Sequence, residues 1–264
     1  MVWYGKDRNK DRKTRGGWMI PEVTVIIPTI HSTTVFRALD SIAAQSAAGT
    51  LEVFVIRDGQ TPYAREDFAR YPFAVHSIGL LPNQGAAAAR NVGIHYAQGP
   101  FIAFLDDDDE WLPNHLLTTL TALQSHAGIV FTDAELYHLE EGWHRPFRFA
   151  YQPSMLTQTS PVIPSTLVVS REVFDQVGYF DTHIPAYSDW DWILRASRLG
   201  APIARIPAIT ANYYYSSLST SSHPETMAPQ LRLLRQKHRL GPVPVASFAQ
   251  MMTDPWFSRW RAPG

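Results

Sequence analysis

The chain contains no cysteine. That excludes disulfide bridges, thiolate metal centres and a cysteine nucleophile, and it fits a reducing compartment. No stretch approaches the roughly 18 consecutive apolar residues that a membrane-spanning helix needs. Residues 1–19 are basic and polar and lack the apolar segment of a secretion signal. A flexible basic leader over residues 1–20 and a cytoplasmic location are therefore expected. Neither sign of charge is in excess: 23 Lys+Arg stand against 24 Asp+Glu, for a net charge of -1. There is no overall basic field, so no nucleic-acid partner is expected. The phosphate-binding pattern G-x-x-x-x-G-K-[ST] is also absent. Acids are missing from residues 226–253, where Leu231 to Leu240 reads as a basic amphipathic helix, followed by Trp256, Phe257 and Trp260. Packing on the body of the protein is the expected role of this tail, with peripheral membrane contact as the sharper alternative.

What is present is an ordinary globular composition, 45% apolar and 18% charged over 264 residues, enough for one large α/β domain or two small ones. Residues 23–27 form a β-branched run that predicts a buried strand stopped by Pro28. Ser32 or Thr33 is placed to cap a helix running to about Gln45. Strands are expected at 51–56, 74–78 and 101–105, with a short helix at 62–71 and an alanine-rich helix at 86–97. This alternation predicts a mostly parallel sheet flanked by helices. Beyond it, helices are expected at 114–125, 171–176 and 189–199, and strands at 128–132 and 166–169. Residues 142–164 read as an irregular loop or hairpin, and 216–223 as a mobile loop.

Ligands in such sheets bind beyond the carboxyl ends of the strands. Polar clusters fall at three of those ends: 29–32, 57–60 and 106–110. The last holds four aspartates in a row, Asp106 to Asp109. Like charges repel, so a folded chain that collects them implies a cation. Mg²⁺ and Mn²⁺ take hard oxygen ligands, commonly one or two carboxylates plus water and substrate phosphates. A solvated turn capping the next helix is the plainer alternative. An EF-hand fails, because Trp111 and Leu117 stand where glycine and glutamate are required. An aspartyl-phosphate phosphatase fails because residues 23–32 hold no aspartate.

Six segments in order resemble family 2 glycosyltransferases of the GT-A fold: VTVIIPTI at 23–30, VIRDGQ at 55–60, NQGAAAARNVGI at 83–94, FIAFLDDDDEWLP at 101–113, STLVVSREVFDQVGYFD at 165–181 and SDWDWILRASRLG at 188–200. The resemblance implies a GT-A, Rossmann-like α/β fold with a mixed acceptor-side region. Its catalytic domain spans 21–222, divided into a nucleotide-sugar half at 21–113 and an acceptor half at 114–222, with a tail at 223–264. It implies a nucleotide-sugar donor (a UDP-sugar is the expectation), a divalent Mn²⁺ or Mg²⁺ and inversion at the anomeric carbon. The acceptor and the oligomeric state stay open.

Residue by residue, the resemblance assigns Asp58 to the donor's base and Pro28 and Thr29 to the nucleoside-lining loop. Arg90 faces the nucleotide. Asp106 and Asp108 match the outer acids of the DXD motif, toward the ribose and the metal, with Asp107 as a further ribose contact. Asp109 is left as support or cap for the following helix. Asp189 is the expected catalytic base and Asp191 the alternative. Of Trp190 and Trp192, one is expected in the core and one as a sugar platform. Arg57-Asp58 replaces the family's frequent Asp-Asp, and Ser188 stands where it has glutamate. Two rival readings are a sugar-phosphate nucleotidyltransferase, which lacks its glycine-rich loop here, and a non-catalytic carbohydrate- or nucleotide-binding protein.

Overall fold

The computed structural model describes residues 14–15, 18–19, 21–30, 33–46, 49–125, 128–217 and 219–262. Most of the expected leader and Ser32 lie outside them; Thr14–Arg15 pairs antiparallel with Trp18–Met19. Nine strands among the described residues form one sheet: β1 (Val23–Thr29), β2 (Leu51–Asp58), β3 (Ala74–Leu80), β4 (Phe101–Phe104), β5 (Glu110–Trp111), β6 (Ile129–His138), β7 (Trp143–Phe147), β8 (Leu167–Ser170) and β9 (Ile203–Tyr215). The order is β3-β2-β1-β4-β8-β6-β9-β5, with β7 on β6. The first four strands are parallel, as the alternation of strands and helices predicts. The other half is mixed: β8 runs antiparallel to both β4 and β6, while β9 runs parallel to β6.

Side-chain alternation along the strands divides the core into two layers. Ile26, Phe54, Ile102 and Phe104 face α2 (Ala86–Tyr96), α4 (Arg171–Val177) and α5 (Ser188–Arg198). Val25, Ile27, Val53, Val55 and Ala103 face α1 (Val35–Ala43) and α3 (His115–Ser125). β1 is buried throughout, which suits its β-branched run. Pro28 does not stop it. The strand continues to Thr29, past Phe104, where β4 has ended and β1 has β2 as its remaining ladder neighbour. A residue without an N–H is tolerated at such a position.

The capping expectation for α1 differs from the structure: Thr34 holds the N-cap position and makes no side-chain cap bond. Residues 62–71 yield only a short 3₁₀ turn, Arg65–Phe68. β6 runs six residues beyond the expected 128–132, and β7 makes residues 143–147 its antiparallel partner. β9, thirteen residues long, was not anticipated from sequence. A buried ion pair joins these two long strands: Arg205 donates from Nε and Nη2 to the two oxygens of Asp133, both at 2.7 Å. Burial raises the Asp133 carboxyl, and the Arg205 fork opposes that rise.

The tail packs on the body. In α6 (Pro224–His238), Met227, Leu231 and Leu234 join the core beside α5. α7 (Phe248–Thr253) and the following Phe257 and Trp260 cover Ala134, Leu136 and Phe149. No helix among the described residues is long and apolar enough to cross a membrane.

Candidate active site

The carboxyl ends of β1, β2 and β4 converge with the N-termini of α2 and α5. Asp58 ends β2 and is buried; its two oxygens accept the backbone N–H groups of Gln84 at 2.7 Å and Gly85 at 2.6 Å. Gly85 has φ +89°, a conformation that favours glycine, and it opens α2. Asp58 thus ties the β2 end to the start of α2. A carboxylate has about four acceptor positions, so this bonding leaves capacity for a further donor.

α2 carries Arg90 inward. It is 6% exposed and pairs with Asp106 through Nη2 and Oδ1. Its Nε is buried and has no hydrogen-bond partner among the described residues. A buried, unsatisfied guanidinium nitrogen is costly unless a ligand completes it.

The four aspartates diverge. Asp106 turns to Arg90. Asp107 accepts from Thr29 Oγ1 at 2.5 Å, which joins the ends of β1 and β4. Asp108 is exposed, and Arg37 of α1 donates to its backbone carbonyl at 2.5 Å. Partial loss of water around its carboxyl, then the charges of Asp106 and Asp107, raise the Asp108 carboxyl above its ordinary range. Asp109 turns fully inward, accepting from Ser165 Oγ at 2.5 Å and from the Tyr214 backbone N–H at 3.0 Å. Burial and the neighbouring acids raise its carboxyl well above the ordinary range. It braces β9 and the turn before β8, rather than capping a helix.

Among the described residues, no three His, Cys, Asp or Glu side chains group in a way that could hold a metal. The acids remain crowded, with Arg90 and Arg37 the cations facing them.

The two acids of α5 have different surroundings. Asp191 is fully buried, and its carboxylate meets His238 Nε2 at 2.7 Å, Lys237 Nζ at 2.6 Å and Arg195 Nε at 2.9 Å. The Lys237 and His238 contacts hold α6 against α5. Asp189 has no such set; it lies within electrostatic reach of Arg90 and Asp106. Burial pushes its carboxyl up to about 6, against two backbone hydrogen bonds and the Arg90 charge. Trp192 is a core residue, bonded to the Gly178 carbonyl at 2.8 Å. Trp190, also buried, donates to the Leu156 carbonyl at 2.8 Å and lines a pocket with Asp189.

Ser165, Arg37 and Tyr214 were not anticipated. Arg37 pairs with Glu110 at 3.0 Å and lies 4.6 Å over the Tyr214 ring. Only Ser165 lay in a motif segment; Arg37 and Tyr214 carry no local signal.

The arrangement can present buried cationic and acidic groups to a phosphorylated ligand, with a raised carboxyl nearby. The sequence model described as Glycosyl transferase family 2 matches residues 24–178. The chain is 29% identical over 254 residues to the uncharacterized glycosyltransferase YwdF of Bacillus subtilis (strain 168), covering 91% of this chain and 93% of YwdF. Residues 1-349 of S. aureus TarS in complex with UDP-GlcNAc superpose with TM-score 0.65 at 20% identity, over 89% of this chain and 71% of that one. The mannosyltransferase PcManGT from Pyrobaculum calidifontis, in complex with GDP-Man and Mn²⁺, gives TM-score 0.62 at 20% identity, over 85% and 66% of the two chains.

Proposed function

Since the chain belongs to glycosyl transferase family 2 and is a glycosyltransferase, we propose that it moves a sugar with inversion from a nucleotide-sugar donor to an acceptor hydroxyl, assisted by a divalent metal. The observation that carries this reading is the Arg90–Asp106 pair at the end of β4, with a buried guanidinium nitrogen left for a ligand. In this reading Asp58, Pro28, Thr29 and Asp107 line the nucleoside. Arg90 meets the diphosphate. The TarS complex holds UDP-GlcNAc and the PcManGT complex GDP-Man; UDP is our assignment for this chain.

Asp106 and Asp108 fit a hard cation, because Mg²⁺ and Mn²⁺ commonly need only one or two carboxylates beside substrate phosphates. Loss of water and then the charges of Asp106 and Asp107 raise the Asp108 carboxyl, so part of that rise reflects the negative charge a cation would offset. When bound, the metal offsets the charge that develops on the departing nucleoside diphosphate.

Asp189 is the base. The acceptor oxygen attacks the anomeric carbon from the face opposite the diphosphate. The bond from that carbon to the phosphate oxygen breaks, and its electron pair leaves with the nucleoside diphosphate. Asp189 takes the hydroxyl proton. Asp191 is ill suited to that step, since three cationic or imidazole partners already surround its carboxylate. The protein acts in the cytoplasm in this reading, and exposed Arg232 and Arg239 on and beside α6 would meet any anionic membrane.

The test is a thermal-shift panel of UDP, GDP, dTDP and CMP with Mn²⁺ or Mg²⁺, run on the parent chain and on Asp108→Ala. A metal-dependent nucleotide shift that Asp108→Ala loses supports the reading. Equal shifts with and without metal in both proteins would sink the metal role, and no nucleotide shift at all would sink the donor site.

A further inference from the structure

Beside Asp189 lies a pocket whose far wall comes from outside the matched family segment. It is a cavity of about 80 Å³, open at its mouth, between Gln158–Ser160, the start of α5 and the tail. The family match ends at residue 178, whereas Ala246, Phe248, Met251 and Phe257 line this pocket. The tail therefore shapes it, and this chain's own sequence sets its form.

The lining has a definite chemistry. Among the described residues it contains aromatic and thioether groups together with hydroxyls and an amide, and no lysine, arginine or histidine. The one charge among the described lining residues is the carboxylate of Asp189, which repels anions. Tyr187 is 8% exposed, lines the pocket, and its hydroxyl has no hydrogen-bond partner among the described residues. Leaving such a group buried and unpaired costs about 1–3 kcal/mol until a ligand oxygen completes it. Burial and the nearby Asp189 charge keep this hydroxyl protonated, so it stands as a donor. Thr159, 3% exposed, offers a second underused hydroxyl, whose contact is the Met251 sulfur at 3.9 Å.

We propose that this pocket takes one neutral pyranose ring of the acceptor, its apolar face on the Trp190 and Phe248 side and its hydroxyls on Tyr187 and Thr159. The inference rests on the transferase reading above and deepens it. Aromatic faces with a few convergent hydroxyls suit a sugar ring. With Asp189 present and no cation among the described lining residues, a phosphate or uronate is disfavoured in the same space. Residues 244–257 then act as the element that selects the acceptor.

The experiment uses the full chain, with methyl glycosides of neutral hexoses and N-acetylhexosamines, methyl glucuronide and hexanol as probes. Binding is read by saturation-transfer NMR, and a UDP, GDP or dTDP thermal shift is recorded on the same samples. At least one neutral glycoside should bind. Tyr187→Phe, which keeps the ring and removes the hydroxyl, should weaken that glycoside about 3–10-fold. Ala246→Trp, which fills the pocket, should abolish its binding. A preference for the glucuronide or hexanol overturns the proposal. So does the absence of any glycoside binding, or neutral-glycoside binding that neither variant moves. A nucleotide shift that persists in those outcomes confines the failure to this pocket; a parent chain with no nucleotide shift overturns the donor reading and the acceptor role together.

Discussion

Asp191→Ala should lower the melting temperature while leaving nucleotide binding in place. The carboxylate is completely buried and accepts from His238 at 2.7 Å, Lys237 at 2.6 Å and Arg195 at 2.9 Å. Truncation does not orphan all three partners. The Lys237 side chain is 34% exposed and keeps Asp181 at 2.7 Å. Arg195 keeps the carbonyls of Val177 and Tyr179, each at 2.6 Å. His238, 6% exposed, loses most, although its Nδ1 still meets Arg198 at 3.0 Å. Charge-assisted bonds contribute about 1.5–3 kcal/mol each, so with these retained contacts the net loss is about 3 kcal/mol. In a domain of this size that corresponds to a fall of roughly 6–12 °C. Differential scanning calorimetry at neutral pH measures it. Burial works to raise the Asp191 carboxyl, but the Lys237, His238 and Arg195 bonds outweigh it and hold the carboxyl below its ordinary value. A depressed carboxyl stabilises the fold above its unfolded value of 3.8 and loses that contribution as pH falls through the folded value. The gap between parent and variant should therefore be full near neutrality and shrink in acid below about pH 4. A variant that melts within about 2 °C of the parent yet has lost transfer would refute the reasoning, because Asp191 would then act on substrate.

Asp189 should behave in the opposite way. A base must be ionised, so kcat/KM for transfer should rise with pH through about 6 and level off above it. A flat profile between about pH 5 and 8 would remove Asp189 from the role. Its folded value lies above 3.8, so its ionised form opposes folding above about pH 6. Asp189→Asn should hold or raise the melting temperature at pH 8 while slowing transfer by roughly 100-fold or more. Gly93→Ala should destabilise although alanine favours helices: the added Cβ would stand 2.5 Å from Ile26 Cγ2 and 2.8 Å from its Cγ1. Overpacking of about 1–3 kcal/mol exceeds the helix gain of about 1 kcal/mol, and a urea melt would read the difference.

The parallel half of the sheet was legible because its signals are local. β-branched runs ending in polar clusters, Gly85 before an alanine-rich helix and the aspartate row each sit within a few residues of sequence. The mixed half depends on pairings across long separations. Asp133 disguises the continuation of β6, because a buried carboxylate in a strand makes sense only with Arg205 opposite, 72 residues on. β9 escaped for the same reason, since its polar Arg205 and Thr210 are completed by residues elsewhere. The contrast between Asp189 and Asp191 was likewise invisible: besides Arg195 on α5 itself, the partners that surround Asp191 are Lys237 and His238 of α6, with His238 47 positions away.

The inward aspartate of the acidic row limits how this architecture can be rebuilt. Asp109 is fastened to Ser165, 56 residues ahead, and to the backbone of Tyr214, 105 residues ahead. A chimera joined near residue 113 would carry its acids without the anchors that aim them. New donor preference by recombination would require exchange of residues 21–215 as a block, whereas residues 244–257, which contribute none of the contacts to that row given above, could be exchanged alone. Laboratory or natural shuffling of this chain should therefore diversify acceptors more readily than donors.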